Sequence, residues 1–376
     1  MSLGQRIRQA RRASGLSLRD LASKIGVSPT AISNYERGQD TPRPSVLVRL
    51  ARALEVESEF FFREVNVVLR APAYRKHSCL SARSRLSFES SVLKILEKYL
   101  MIENLFPKRR RVEFNTRLEP VRSIEDAETA AESLRDCWGL GFGPIYDLMA
   151  VLEDHGVKVI ALSPRHGFDG FSCWANDTIP VVVCSSDAPG DRQRFTLAHE
   201  LGHLMLGFSD AVDVESAAHR FAAALLVPRK AVFHELGEKR SRLTMEELHI
   251  LKHKYGLSMQ AWARRAFDLG IIACSVYTGV CKQFSKLGWR KEEPGDQVPG
   301  ETPRRCSMLV YQAIAEDLVS PSTAESLLNY SYDGKKPVLK VASTQIDEGI
   351  VNEYASNIDL TAFTKANAED IYAYDE

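Results

Sequence analysis

Three observations predict a mainly α-helical chain with one small α+β domain near its middle. The first 62 residues divide into short blocks of helical apolar spacing, each bounded by Ser, Pro or Gly. Between residues 157 and 184, three runs rich in β-branched and aromatic residues are separated by turn signals. An apolar helix carrying His199-Glu200-Leu201-Gly202-His203 follows them directly, and helical periodicity continues beyond it.

At 376 residues the chain has room for two or three domains and a substantial core. Net charge is zero, yet it is unevenly placed. Residues 1–64 hold eleven Lys/Arg against seven Asp/Glu and residues 65–120 hold twelve against five, a surplus of +11 that the remainder cancels. Such asymmetry points to a nucleic-acid partner for the N-terminal part. Seven cysteines, odd in number and without C-x-x-C spacing, do not read as a secreted disulfide framework. With no apolar run of membrane-spanning length and no signal-peptide core, a cytoplasmic protein without a membrane partner is expected.

Residues 1–64 read as five short helices. Leu3 to Ser14 forms the first, stopped by Gly15. Ser17 caps the second, whose Leu18, Leu21, Ala22 and Ile25 keep helical spacing to Gly26. Ser28 is the next cap, and Pro29 takes the first helical position, where its missing N–H is harmless. The third helix runs from Thr30 to Arg37 and ends at Gly38. Helix, tight glycine turn and short polar-faced helix make up a helix-turn-helix, whose second helix is narrow enough for the major groove. Ile25, Ile32, Leu47, Leu50 and Leu54 read as core.

Over this whole block, including the Tyr35-Glu36-Arg37-Gly38 exit and the Pro42-x-Pro44 connection, the sequence resembles the XRE/Cro/C1-type DNA-binding domains with their lambda-repressor-like fold. The resemblance implies a double-stranded DNA operator as partner. Thr30, Ser33 and Asn34 would face base edges, while Arg19, Arg37 and Arg43 would hold phosphates. Ser28, at the helix start, is included in the same candidate surface. A homodimer is expected, because such domains commonly read two half-sites one helical turn apart.

Residues 65–120 read as a basic helical linker that spaces two modules. Leu86 to Leu105 is helical in period, and Lys108 to Arg111 is a basic cluster of the kind usually found on a solvated segment. A third domain is expected over residues 121–270. An amphipathic helix runs from about Ser123 to Trp138 and another ends near His155. Val157 to Leu162, Gly170 to Trp174 and Ile179 to Cys184 are its strands. The strand with Phe171, Ser172 and Trp174 is the expected edge that would hold a substrate peptide in extended form. His166, on the adjoining loop, reads as a solvated side chain, and Cys173 and Cys184 as buried small hydrophobes.

Residues four apart share a helix face, so His199 and His203 point the same way and can share one zinc ion at about 2.0–2.1 Å. Glu200 lies beside them as a base for water. Glu215, opening the next apolar helix, is the best third ligand, with Asp210 and Asp213 as near alternatives. His219, one turn on, is a candidate to hydrogen-bond a ligand. Pro228 ends that helix. His234-Glu235 begins the same pattern but has Glu238 where the second histidine would stand.

Arg194-Phe-Thr-Leu-Ala-His-Glu-Leu-Gly-His, followed by Glu215-x-x-Ala218-x-x-Phe221-Ala222-x-x-Leu225-Leu226-x-Pro228, resembles the ImmA/IrrE-type zinc metallopeptidases. The resemblance implies a gluzincin-like domain in which His199, His203 and Glu215 bind zinc, with manganese as a substitute in vitro, and Glu200 is the catalytic base. The family usually has Asn or Asp at the position of His219 and often a second acid at that of Ala217.

Past this region, Thr244 to Tyr255 and Ser258 to Leu269 read as a helix pair, with Trp262 in the core. Ile271 to Val280 reads as a strand, and Leu309 to Leu318 and Ser322 to Leu328 as amphipathic helices. From Tyr332 a tail carries nine acids against four lysines. Residues 271–376 are expected to form an α-rich C-terminal region of unknown role. The order of parts is similar to that of short-chain fatty-acid-type regulators. Together these features imply a DNA-binding transcriptional regulator with a zinc-dependent endopeptidase domain. It would cleave a helix-turn-helix repressor or its own N-terminal domain to control stress, phage or mobile-element genes. A metal- or ligand-sensing transcription factor without turnover and an antitoxin-type autoregulator are the alternatives.

Overall fold

The computed structural model describes residues 3–328 except 55, 57, 63–66, 75–81, 107–113, 115–117, 164–169, 210–211 and 291. The basic cluster Lys108 to Arg111, His166, Asp210 and the acidic tail lie outside the described residues.

The N-terminal domain is α1 (Leu3–Ala13), α2 (Leu18–Ile25), α3 (Pro29–Arg37) and α4 (Pro44–Ala53). The fifth expected helix is a single 3-10 turn, Ser58–Phe62, which inserts Phe60 and Phe61 into the core. At α2 the Ser17 hydroxyl accepts from Asp20 N while the Asp20 carboxylate accepts from Ser17 N, so two unpaired donors are satisfied. Gly26 and Gly38 close α2 and α3 at φ 68° and 70°, a left-handed backbone that costs glycine little. Ile7, Leu21, Ile25, Ile32, Leu50 and Leu54 fill the centre, with Leu47 partly buried beside them.

After β1 (Leu69–Tyr74) and α5 (Ala82–Asn104) come α6 (Ile124–Cys137), α7 (Leu148–Asp154), β2 (Lys158–Leu162), β3 (Gly170–Ala175) and β4 (Ile179–Ser185). The sheet order is β1-β3-β4-β2, antiparallel except for the parallel β2/β4 pair. α8 (Gly190–Met205), α9 (Val214–Leu226), α10 (Arg229–Leu236), α11 (Met245–Tyr255) and α12 (Met259–Asp268) follow. α13 (Cys274–Leu287), α14 (Arg305–Ala315) and α15 (Pro321–Leu328) complete the described chain.

Strand alternation sorts the sheet into two faces. Phe171, Cys173, Val181 and Val183 pack against Val92, Leu96 and Leu100 of α5. Val182 and Cys184 share the opposite core with Leu197, Ala198 and Leu201 of α8. Gly170 permits this approach, because a Cβ there would lie 2.5 Å from Thr196 Cγ2 and 2.7 Å from the Val183 carbonyl oxygen.

Three expectations are corrected. Residues 65–120 are more than a spacer, because β1 joins the sheet and α5 covers one of its faces. Pro72 hid this strand. Proline is tolerated in an edge strand, and here it sits within the register shift between Arg70 and Ala73. Since β1 takes the outer side of β3, Phe171, Ser172 and Trp174 lie on an inner strand and form no free edge. Ile271 to Val280 is not a strand either. Ile272 makes only an isolated bridge to Arg240, and Val280 and Phe284 bury one face of helix α13.

The expected boundary at residue 270 has no counterpart in the packing. Val280 and Phe284 belong to the same core as α8 and α9. Beyond α13, Glu293 accepts from Met259 N and Gln260 N at the start of α12, and Glu301 pairs with Arg194 of α8.

Candidate metal centre and nucleic-acid interface

The first half of α8 is tied down before the motif begins. Gly190 N donates to the Val298 carbonyl, and a Cβ at Gly190 would come 2.1 Å from the Pro299 oxygen. Arg194 is gripped by Glu301 and by the Ile145 carbonyl oxygen. The helix then presents His199 and His203 one turn apart, with His199 and Glu200 fully buried. On α9, Asp213 caps the helix by accepting from Ser216 N, which leaves Glu215 of the first turn to face α8. Gly202 keeps the helices close, since its Cβ would stand 3.1 Å from Phe221 Cδ1.

The three groups converge. His199 Nε2 and His203 Nε2 are 3.0 Å apart, and the Glu215 carboxylate oxygens lie 3.5 Å from the first and 3.6 Å from the second. A tetrahedral zinc with bonds of about 2.05 Å holds its ligand atoms about 3.3 Å from one another, so the donor types and spacings fit such an ion. Glu215 is 40% exposed, which leaves one side of the group open to an incoming molecule.

Glu200, on the same helix, reaches the sheet, where its Oε2 accepts from the Ser172 hydroxyl at 2.9 Å. Ser172 is itself buried. Of the other two expected edge residues, Phe171 faces α5 on the far side of the sheet, and Trp174 meets Phe114 edge-on at 5.9 Å between centroids. The contact between Ser172 and Glu200 was missed in the sequence. Its only signal was alternation, which puts residue 172 on the face opposite Phe171 and Cys173.

His219 lies beside the trio, its ring centroid 4.6 Å from that of His199 and 5.8 Å from the near-parallel ring of Phe195. Ala217 is buried in the core. His219 and Phe195 also line a cavity of about 1190 Å³, together with Arg220, Gln260 and Ala261 of α12, Arg290 and Glu292. Burial pushes the Cys173 and Cys184 thiols up to about 12, so neither is poised as a thiolate. At the second His-Glu pair, Glu235 accepts from Lys254 and from Tyr255 Oη.

At the N-terminus, Arg19, Ser28, Thr30, Arg37 and Arg43 are exposed, and Ser33 and Asn34 are half-buried. The Ser28 hydroxyl accepts from Ala31 N at 3.1 Å, so it acts as the cap of α3. Arg37 folds back along its own helix, donating to the Asn34 Oδ1 at 3.2 Å and to the Ser33 carbonyl at 3.3 Å. Arg11 forks onto Glu36 at 2.5 and 2.9 Å and fastens α3 to α1.

Among the described residues no helix is long and apolar enough to cross a membrane. A family model described as helix-turn-helix matches residues 7–61, and one described as an IrrE N-terminal-like domain, of a peptidase family, matches residues 152–267. The chain is 43% identical over 64 residues to an uncharacterized transcriptional regulator in the ATPase CF(0) region of Rhodospirillum rubrum, a match covering 17% of this chain and 59% of that one. It is 32% identical over 67 residues to the HTH-type transcriptional regulator ImmR of Bacillus subtilis, covering 18% and 53%. To multiprotein-bridging factor 1 of Debaryomyces hansenii it is 42% identical over 57 residues, covering 15% and 38%. In each case the chain spans less than two thirds of the relative, and the match is the size of one small domain. The chain joins an N-terminal helix-turn-helix domain to an IrrE N-terminal-like domain.

Proposed function

We propose that the protein is a DNA-binding transcriptional regulator with a zinc-dependent endopeptidase centre. The observation that carries this reading is the convergence of His199, His203 and Glu215 at the spacings of a zinc tetrahedron, with a buried carboxylate, Glu200, on the next residue of the same helix. Zinc held there supplies Lewis acidity, which polarises a peptide carbonyl and lowers the pKa of water. In this reading Glu200 takes the proton from the attacking water and passes it to the leaving nitrogen. Ser172 holds one Glu200 oxygen and so fixes the carboxylate's orientation. The cavity beside His219 and Phe195 receives the flanking polypeptide. With β3 covered by β1, an extended substrate would not add to that strand.

Substrate and operator are also part of the proposal. The substrate class is a helix-turn-helix repressor or this chain's own N-terminal domain. The operator is double-stranded DNA, bound by a homodimer through Thr30, Ser33 and Asn34, with Arg19, Arg37 and Arg43 on phosphates. The test is to incubate full-length protein with zinc or manganese, alone and with candidate repressors, and to identify fragments by mass spectrometry. Glu200→Gln should keep its zinc and yield no fragments. Cutting by that variant at the wild-type rate would remove Glu200 from the chemistry, and absence of cutting by the wild type would favour a sensor without turnover.

A further inference from the structure

The N-terminal domain is fastened to the rest of the chain by a charged joint. Arg6 of α1 is 1% exposed, and its Nη1 donates to Glu97 Oε2 of α5 at 2.6 Å and to Gln9 Oε1 at 3.1 Å. Gln9 Nε2 donates to the second Glu97 oxygen at 3.4 Å, and the Arg6 guanidinium lies 4.9 Å from the Phe60 ring centroid. Gln9 and Phe60 thus position the guanidinium from within its own domain, and Glu97 supplies the countercharge from outside it. Glu89, two turns earlier on α5, also attracts Arg12 of α1.

Domains of one chain move against each other by default unless their interface fixes them. A hydrogen bond between ionised groups is about twice as strong as a neutral one, and burial protects it from screening by salt. The joint therefore holds the N-terminal domain in place. Among the described elements, the main packing of that domain on the rest of the chain is α1 on α5.

α5 and α8 cover opposite faces of the sheet. Val92, Leu96 and Leu100 of α5 meet Phe171, Cys173, Val181 and Val183, whereas Leu197, Ala198 and Leu201 of α8 meet Val182 and Cys184. The docked domain is thus carried on the α5 side, and His199, His203 and Glu215 converge on the α8 side. The tether is short as well. Between Phe62, which ends the 3-10 turn, and Val67, buried against α5 and the strands, four residues intervene, a reach of about 18 Å at full extension.

Resting on the proposed endopeptidase centre, we propose that the chain does not cut its own N-terminal domain within one molecule. The α5 joint shields that domain from the centre it is linked to. The helix-turn-helix substrate is presented by a second molecule.

Two measurements on full-length protein test this. The first needs no activity: NMR relaxation of α2 and α3 amides is compared with that of α9 in the Glu200→Gln variant. One common tumbling time is expected. Adding Glu97→Lys, which sets two cations against each other without touching the N-terminal core, should shorten the time of α2 and α3 about twofold. Independent tumbling with Glu97 intact overturns the joint. In the second, unlabelled wild type is mixed with an equal amount of isotope-labelled Glu200→Gln protein, left for subunits to exchange, given zinc, and its fragments are weighed. Equal amounts of labelled and unlabelled N-terminal fragments are expected. Unlabelled fragments alone mean cutting within one molecule and overturn the proposal. No fragment of either form, with a separate helix-turn-helix repressor cut, upholds the shielding and assigns the substrate to that repressor. No cutting of any substrate overturns the endopeptidase reading and the shielding with it, while common tumbling would still establish the joint.

Discussion

The Ser172 hydroxyl donates to Glu200 Oε2 at 2.9 Å across the gap between the sheet and α8, with both side chains buried. A carboxylate with one oxygen fixed has fewer ways to turn, and an ordinary hydrogen bond is worth about 1 kcal/mol net. Ser172→Ala should therefore lower kcat of the proposed cleavage about five- to tenfold, leave KM and zinc content unchanged, and be rescued by Ser172→Thr. A rise in KM with kcat intact would mean that Ser172 contacts substrate instead.

The proposed zinc site at His199, His203 and Glu215 predicts a stability response that needs no substrate. A ligand that binds only the folded chain stabilises it by about 4 kcal/mol at a thousandfold excess over Kd. Zinc should raise the wild-type Tm by several degrees and raise that of Glu200→Gln equally. His203→Ala and Glu215→Ala should lose most of the shift, since each removes one of three donors. A full shift in Glu215→Ala would point to another acid, Asp213 first, although its carboxylate already caps α9.

What was legible in the sequence follows from how local each signal is. His199, Glu200 and His203 lie within one helical turn and a half, so their juxtaposition needs nothing but the period of the helix. The convergence of Glu215 depends on how α9 crosses α8, and the sequence offered Asp210 and Asp213 equally nearby. β1 was hidden because its pairing spans about a hundred residues of chain, Leu69 with Ala175, and Pro72 breaks its strand pattern. The connection between α13 and α14 has no periodicity. Its Glu293 and Glu301 act on helices 33 and 107 residues earlier, which no window-based reading can see.

A buried ion pair clamps three helices behind the site. Glu128 of α6 and Arg265 of α12 are both fully buried and meet as a two-pronged fork, while Arg220 of α9 reaches Glu128 at 2.8 Å. Removing one partner strands the other charge in the interior, at a cost of about 3–5 kcal/mol. Glu128→Ala should lower the unfolding free energy measured in urea by that amount. Replacing the pair by Glu128→Leu with Arg265→Met should recover part of it. A loss under 1 kcal/mol in the single variant would show that water reaches this pair.

Glu153 gives the fold a pH dependence of definite sign. Burial lifts its carboxyl from the usual 4.5 to about 7, against the smaller opposing effect of the Arg305 and Arg304 N–H groups it accepts from. Below pH 4.5 the group is protonated in both folded and unfolded chains and contributes no penalty. Between pH 4.5 and 7 the unfolded chain releases the proton while the folded chain keeps it, so stability falls as pH rises, by about 3 kcal/mol across the window. Glu153→Gln keeps a carbonyl oxygen for the two backbone donors and cannot ionise. The variant should match the wild type near pH 4.5 and exceed it at pH 8 by up to about 3 kcal/mol. Because other groups titrate in the same range, the measurement is the difference between the two urea curves at each pH. A difference that stays constant from pH 4.5 to 8 would place the Glu153 carboxyl back in its ordinary range.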